Sequence, residues 1–398
     1  MFKHINIYTL VLIIINATII FSQSNVNPDI SLIGTFNTHI NFGKDMPDKE
    51  KIIFEDPALE LFIDGYLNPY ARGTADISYE DGEFGVEELY ANVVRGLPFD
   101  IQIKAGKFLL GFGKLNTVHA HAWAFIERPL YQQIYFGPEG FNDIGINLSF
   151  LIPTSDFYTN LDLGIFKGDA IGKAETPDIS SSDINNLRGN SPIFVGRLGS
   201  FFSLTDYTNL EVGLSASYGV HANSSYYYEL NNLELTKKES LKYFYTGLDF
   251  KCKYRPDGYT ALTIQGEALL NNRDVLRSNS ILQENISGFT KEKVSTTGAF
   301  IFIDYLFEKQ YSIGIKYDFT YGIIGDEPAF NTLSNDDENK TTGISGWLGY
   351  YPIEETIALR LGVQHLIFNT INEIKKDNDT SVKLQLIFSL GPHKAHPF

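Results

Sequence analysis

The sequence is dominated by runs of about ten to fourteen residues in which apolar and polar side chains alternate. In the run at 310–321, the apolar members are Ile313, Ile315, Tyr317 and Phe319, and the polar members between them are Ser312, Lys316, Asp318 and Thr320. Successive residues of a β-strand face opposite sides, so each run predicts a strand with one apolar and one wet face. The pattern recurs at 31–42 and 207–218.

Sixteen such runs can be counted along the chain. They lie at 31–42, 58–68, 70–80, 84–95, 99–110, 141–152, 157–168, 192–204, 207–218, 241–254, 258–271, 295–307, 310–323, 341–351, 355–370 and 380–390. Strands of soluble sandwiches average five or six residues, whereas a tilted strand needs roughly nine to eleven to cross a bilayer. The lengths therefore favour membrane-crossing strands.

The connections between the runs alternate between tight turns and, for the most part, long polar segments such as 169–191, 219–240, 272–294 and 324–340. Short turns on one side and long loops on the other are typical of bacterial outer-membrane barrels. The wet face carries charges that a dry core could not hold, and we predict that they line the pore: Arg72, Asp76, Arg197, Glu211, Asp249, Lys316, Asp318 and Arg360. The sequence thus predicts an all-β fold, a transmembrane antiparallel up-and-down β-barrel of about 16 strands.

The first 24 residues have the composition of a secretory signal peptide, with Lys3, an apolar run from about Tyr8 to Phe21 and small residues after it. Nothing downstream approaches the roughly 18 consecutive apolar residues of a membrane-spanning helix. We therefore expect a signal peptide at 1–24, an outer-membrane barrel at 25–398 and a periplasmic tail at 391–398. Both ends of the barrel should lie on the short-turn, periplasmic side of a Gram-negative outer membrane.

Charge and cysteine content exclude several kinds of partner and site. The formal net charge is −16, which disfavours nucleic-acid binding through basic patches. The single cysteine, Cys252, allows neither an internal disulfide nor a cysteine-based metal cluster. No local pattern of nucleophile and base indicates an enzyme, and we expect none.

The segment LPFDIQIKAGKFLLGFGKLN at 97–116 resembles a strand and hairpin of the phosphate-selective porin O and P group. The longer stretch through HAHAWAFIERPL and FGPEGFNDIGINLSFLIP, with the ending SLGPHKAHPF, resembles outer-membrane barrels labelled zinc-regulated TonB-dependent receptors. These resemblances imply a porin-like barrel, and the first implies phosphate selectivity, which the acidic charge does not support. We expect no TonB-type plug domain, because the first strand begins about seven residues after the signal peptide. Resemblance to porins also implies a homotrimer.

Residues 111–140 form the third loop on the long-loop side, and they are rich in aromatic residues. The glycines at its start do not match the phosphate-binding pattern G-x-x-x-x-G-K-[ST], because Phe112 follows Gly111. In the sixteen-stranded general porins, a loop in this position folds into the lumen. We therefore predict that 111–140 constricts or plugs the pore and that five charged residues lie near the constriction: Lys104, Lys107, Lys114, Glu127 and Arg128.

Four of the eight histidines form two pairs, His119 with His121 and His393 with His396. Each pair has a spacing compatible with a divalent metal, but neither supplies the three or four ligands that a zinc site needs. A polar loop and a polar tail are the alternative interpretation. The sequence requires no cofactor, and Zn²⁺ or another divalent cation is the candidate that these pairs suggest.

Two functions fit the pattern. One is a porin-like channel for passive uptake of small hydrophilic solutes, with metal cations such as zinc among the candidates. The other is a closed barrel that acts as a receptor or complex subunit in zinc-regulated, TonB-linked uptake. In both cases the expected partners are outer-membrane lipid, lipopolysaccharide and the barrel-assembly machinery, and not nucleic acid.

Overall fold

The computed structural model describes residues 28–44, 48–80, 82–137, 139–154, 157–171, 184–187, 191–230, 233–278, 289–322, 339–353, 356–369 and 377–391. The predicted signal peptide 1–24 lies outside these ranges, as does the predicted tail 391–398 apart from Gly391. His393 and His396 therefore lie outside the described residues. Among the described residues, no helix is long and apolar enough to span a membrane.

Eighteen strands are present in the described residues. Their bounds are β1 Asp29–Asn41, β2 Ile52–Phe54, β3 Ala58–Asn68, β4 Ala71–Glu80, β5 Glu83–Val93, β6 Gln102–Leu109, β7 Asn142–Pro153, β8 Tyr158–Phe166, β9 Ile184–Leu187, β10 Ile193–Thr205, β11 Thr208–Leu230, β12 Leu233–Tyr254, β13 Ala261–Ser278, β14 Phe289–Phe307, β15 Tyr311–Tyr321, β16 Lys340–Ile353, β17 Ile357–Asn369 and β18 Asp379–Leu390. One α-helix, α1 (Leu130–Phe136), and four 3-10 turns at Pro98–Asp100, Leu115–Thr117, Ala120–Ala122 and Asp169–Ile171 complete the described structure.

Sixteen of these strands form one closed antiparallel sheet, which confirms the predicted barrel and all sixteen predicted strands. β18 closes the sheet by pairing with β1, with Leu390 opposite Leu32. The two remaining strands are short additions, since β2 pairs with β1 and β9 with β11. Each strand otherwise pairs with its neighbours along the chain, as the up-and-down topology requires.

The two faces of the sheet have the polarity that the alternation predicts. On β15, Ile313 and Ile315 are more than half exposed, whereas Lys316 and Asp318 are completely buried. In a closed barrel the exposed apolar face is the outer one, and the charged face therefore points inward. The same division holds on β11, where Leu214 is exposed and its neighbour Ser215 is buried.

Four strands are longer than the sequence indicates. The segment 272–294 was expected to be a long loop, yet β13 continues to Ser278, β14 begins at Phe289, and these two residues are paired. The segment 219–240 was expected to be a long loop, yet β11 continues to Leu230 and β12 begins at Leu233, with paired residues along the whole extension. The apolar alternation of the predicted runs does not continue through 219–240. Periodic hydrophobicity reports only the part of a strand that has one apolar side.

Candidate functional site

The third loop leaves and re-enters the wall through a narrow neck. Leu109 of β6 lies opposite Asn142 of β7, and the Leu110 N–H donates to the Phe141 carbonyl at 2.8 Å. The Asn116 amide bridges both sides of the neck, since its Nδ2 donates to the carbonyls of Leu110 and Phe141 at 2.8 and 3.0 Å. These bonds fix the direction in which residues 111–140 leave the sheet.

Glu267, on the inner face of β13, is the main polar anchor for the start of the loop. Its Oε1 accepts hydrogen bonds from the backbone N–H groups of Lys114 and Leu115 at 2.9 and 2.6 Å. Its Oε2 accepts a hydrogen bond from the Tyr131 hydroxyl at 2.6 Å. Gly113 has φ +69° and lies against the Glu267 carboxylate, so a side chain there would be strained and would meet this group.

A second anchor joins the middle of the loop to β15 and β18. The buried Lys316 ammonium donates to the Glu127 carbonyl at 2.9 Å and pairs with Asp318 at 3.1 Å. Asp318 also accepts the Leu130 N–H at 3.2 Å, at the start of α1. The Glu127 carboxylate pairs with Lys383 at 3.1 Å. Backbone and side chain of the same loop residue are thus held by two different strands.

Aromatic packing fills the space between these polar anchors. The Phe125 ring contacts Phe302 and Trp347 of the wall, with centroids 5.1 and 5.8 Å apart and edge-to-face geometry. Trp123 packs on Phe125, with centroids 5.6 Å apart. Such pairs are favourable beyond the apolar area that they bury. A second group joins α1 and the neck to β12: Phe112, Tyr135, Phe136, Phe141 and Tyr245.

The predicted histidine pair lies in a cluster of carboxylates on β3, β4 and β5. His121 Nδ1 is 2.9 Å from Glu60 Oε2. His119 Nε2 is 3.2 Å from Glu88 Oε2, and its Nδ1 is 3.5 Å from Asp76 Oδ2. The two imidazole rings are stacked with centroids 5.7 Å apart. This group is called the histidine–carboxylate cluster below.

The charge of His119 is set by competing effects. Burial by itself lowers the pKa of the imidazole, because it disfavours the charged form. The hydrogen bond to Glu88 and the negative charges of Glu88, Glu60 and Asp76 outweigh burial and raise the pKa to about 9. With no metal ion bound, His119 is therefore an imidazolium at neutral pH.

A cavity of about 300 Å³ lies between the loop and the short-turn side of the barrel. The loop contributes His121, Ala122, Trp123 and Ala124 to its lining. The wall contributes charged and polar side chains near the short turns: Lys253, Arg255, Thr263, Asp304, Lys309 and Arg360. Arg360 also donates to the His121 carbonyl at 3.1 Å, so it supports the loop from the side of the cavity.

Charged residues of the loop, β10 and β11 keep partial contact with solvent. Lys114 of the loop pairs with Glu211 at 2.5 Å, and both side chains are about one-sixth exposed, at 15% and 17%. Arg197 reaches across β11 to the buried Asp249, with Nη2 2.5 Å from Oδ1. The strand between them has Gly213 at the crossing point, where a side chain would collide with both groups. This part of the inner wall is polar and accessible.

The structure places twelve of the thirteen residues predicted for the pore on the inside of the barrel, in two groups that differ in exposure. Lys104, Arg72, Arg197, Glu211 and the loop residues Lys114, Glu127 and Arg128 lie inside with partial exposure. Asp76, Asp249, Lys316, Asp318 and Arg360 also face inward, but they are at most 5% exposed. Lys316, Asp318 and Arg360 hold the loop, Asp76 belongs to the histidine–carboxylate cluster, and Asp249 pairs with Arg197. Polar alternation in the sequence predicts that a residue faces inward, but it does not show whether that residue contacts water or is covered.

Lys107 does not lie at the predicted constriction. It was expected near the constriction, but its register partners are Leu89 and Ile144, which are both exposed on the outer face. Direct partners in an antiparallel sheet point to the same side, so Lys107 also points outward. Its ammonium donates to the Val86 carbonyl at 2.6 Å, near the long-loop end of the barrel.

Several contributors to this site escaped the sequence reasoning. Glu60 and Glu267 are single acidic residues within alternating strands, Glu88 follows Glu87, and Tyr131 is one aromatic residue among many in the loop. Tyr131 and Glu267 are 136 positions apart in sequence, and His119 and Glu88 are 31 apart. No local spacing signals contacts of this range. Only the inward path of the loop brings them together.

No protein-family model matches the chain. In sequence it is 29% identical, over 407 aligned residues, to an uncharacterized protein of Aquifex aeolicus (strain VF5), with 95% of this chain and 81% of that protein covered.

Three solved structures share the fold. They are OprB of Pseudomonas putida (TM-score 0.52, 9% identity, 92% of this chain and 94% of that chain), OmpT, an outer membrane protein of Vibrio cholerae (0.51, 8%, 91% and 97%), and the outer membrane channel DcaP of Acinetobacter baumannii (0.50, 12%, 92% and 97%). At this level of identity the likeness establishes the fold alone. Together with the closed sheet and its apolar outer face, it shows that the chain has a porin-like β-barrel fold.

Proposed function

We propose that this protein is a passive channel for small hydrophilic solutes, including metal cations, and that residues 111–140 narrow its lumen. The observation that carries the proposal is the anchoring of the loop to inward-facing side chains, above all through Glu267. A loop held inside a barrel reduces the cross-section open to solutes. The partly exposed charges on the loop, β10 and β11 supply a wet surface along which a hydrated solute can pass.

The charge balance supports a preference for cations. The chain carries a formal net charge of −16. The histidine–carboxylate cluster adds local negative potential, because Glu60, Asp76 and Glu88 outnumber its two imidazoles. Rings of acidic side chains select for cations in channels. No catalytic role is part of this proposal, and phosphate selectivity is not included in it.

A closed barrel that serves as a receptor or complex subunit is the second candidate. It is favoured by the spread of the loop contacts, which reach β3, β4 and β5 on one side and β13 to β18 on the other. A loop tied to opposite parts of the wall can block a lumen instead of narrowing it. A role in zinc-regulated, TonB-linked uptake is what the sequence resemblance adds to this candidate.

Planar-bilayer recording of the purified, refolded protein distinguishes the two. The channel proposal predicts steady conductance steps and, in a KCl gradient, a reversal potential that indicates cation preference. If protein whose folding is verified by heat-modifiable gel migration gives no steps, the channel proposal fails and the closed barrel replaces it. Both candidate functions share the same proposed partners: outer-membrane lipid, lipopolysaccharide, the barrel-assembly machinery and further copies of the chain in a homotrimer.

A further inference from the structure

We propose that Glu60, Asp76 and His119 form a binding site for one divalent transition-metal ion, located where the third loop meets β3 and β4. One ligand atom from each residue lies within 4.8 Å of the others. Two of these residues belong to the wall and the third to the loop. The inference concerns binding and does not rest on the proposed conductance, because the two properties are measured separately.

Asp76 supplies the observation that points to a missing ligand. Its side chain is 1% exposed, and neither carboxylate oxygen has a hydrogen-bond partner. The nearest cationic group, His119 Nδ1, is 3.5 Å from Oδ2. Leaving a buried carboxyl group without hydrogen bonds is expensive, and buried polar groups in proteins are usually hydrogen-bonded, paired or coordinated to a metal. Asp76 faces the same space as Glu60 and His119.

The donor set selects the class of metal. Two carboxylates and one imidazole suit Zn²⁺ and similar transition metals, whereas Ca²⁺ and Mg²⁺ prefer sites composed of oxygen atoms. Three protein ligands leave a position for water or for a fourth side chain. Glu88 is positioned to act through His119, because it contacts Nε2 of that ring while Nδ1 faces Asp76. Carboxylates that orient ligating histidines in this way are common at metal sites.

The geometry needs only a local adjustment. Zinc bonds of about 2.0–2.2 Å bring neighbouring ligand atoms to about 3.3 Å, so the three atoms have to approach by roughly 1–1.5 Å. Glu60 is half-buried and has a flexible side chain, so its rotation can supply most of this movement. Because His119 belongs to the loop, an ion bound here would fasten the loop to β3 and β4. Metal binding would thereby fix the position of residues 111–140.

Equilibrium dialysis of the refolded, full-length protein against Zn²⁺, with the bound metal measured by elemental analysis, tests this inference. We expect one tight zinc ion per chain. Asp76→Asn keeps the shape of the side chain and removes its charge. It should weaken binding by at least about tenfold, since even loss of a group that only orients a ligand weakens metal sites roughly 10–100-fold. Glu60→Gln should act in the same direction. The matched control is Asp162→Asn on β8, whose carboxylate is hydrogen-bonded by Ser149, and it should leave zinc affinity unchanged.

Two further measurements keep the result decisive if Asp76→Asn fails to fold. X-ray absorption of the zinc-loaded wild-type protein should show a first shell of nitrogen and oxygen atoms with an imidazole contribution. A His393→Gln, His396→Gln variant should retain the tight ion. The inference is overturned if the wild-type protein binds no stoichiometric zinc, if the tight ion is lost with the tail histidines, or if a folded Asp76→Asn protein binds zinc as tightly as the wild type. The contacts of His119 would then serve only as ion pairs.

Discussion

The Tyr131 hydroxyl lies 2.6 Å from Glu267 Oε2 and joins the helix of the third loop to the opposite wall of the barrel. Both side chains are buried. Glu267 uses its other oxygen to hold the beginning of the loop, at Lys114 and Leu115. One carboxylate therefore fixes two parts of the loop that lie sixteen or more residues apart, so a substitution of Glu267 would release both.

Tyr131→Phe removes the hydroxyl and leaves one Glu267 oxygen buried without its donor. A lost hydrogen bond of this kind destabilises by roughly 1–3 kcal/mol. We expect a lower melting temperature in detergent and greater noise in the open-channel current, because the loop is held less firmly. Tyr218→Phe, on the outer face of β11, is the control and should change neither. If the two variants behave alike, the Tyr131–Glu267 hydrogen bond does not help to hold the loop.

Lys316→Met breaks a buried ion pair and leaves Asp318 as an uncompensated charge. Removing one partner of such a pair is typically destabilising by roughly 3–5 kcal/mol. The loss should appear in urea unfolding, and a second substitution, Asp318→Asn, should recover part of it. Lys51→Met at an exposed pair with Asp48 provides the control, for which we expect at most about 1 kcal/mol. Equal effects at the two lysines would contradict the buried anchor.

Glu55 predicts a pH dependence of stability. Burial favours the neutral form, but the charge of Lys383 and hydrogen bonds from Asn37, Lys383 and His39 outweigh it, and the pKa of Glu55 is lowered from 4.5. A group with a lowered folded-state pKa stabilises above its unfolded value, and this stabilisation is lost as the pH falls through the folded-state pKa. The wild type should therefore melt at a higher temperature than Glu55→Gln at pH 7, and the difference should vanish in acid. A difference that is constant with pH would contradict this assignment.

The assignment of the two faces predicts opposite responses to a lysine. Ile315→Lys places a charge on the lipid-facing side of β15, where lysine near the membrane midplane destabilises barrels by roughly 2–4 kcal/mol. Thr263→Lys places the same side chain on the inner face, at the cavity, and should have little effect. Unfolding of both variants from lipid vesicles measures the contrast. A larger loss for Thr263→Lys would reverse the assignment.

Much of the fold could be predicted because a membrane barrel has a periodic sequence. The run at 310–323 corresponds closely to β15, where each apolar residue meets lipid and each polar residue meets the lumen. The site is a different case. Glu60 and Glu88 resemble any other polar position of a strand, and their proximity to His119 depends on the contacts of residues 111–140 with β3 to β5. Alternation reports which face a residue occupies and contains no information about what reaches that face.

The neck of the loop provides the most direct test of the central claim. Because Leu109 and Asn142 are register partners, residues 111–140 can be replaced by a short Gly-Asn turn without altering the pairing of β6 and β7. Single-channel conductance of this variant and of the wild type should be compared in the same bilayer. If the loop lies in the lumen and limits the pore, removing it should raise the conductance severalfold. Equal conductance of the two folded proteins would contradict that claim.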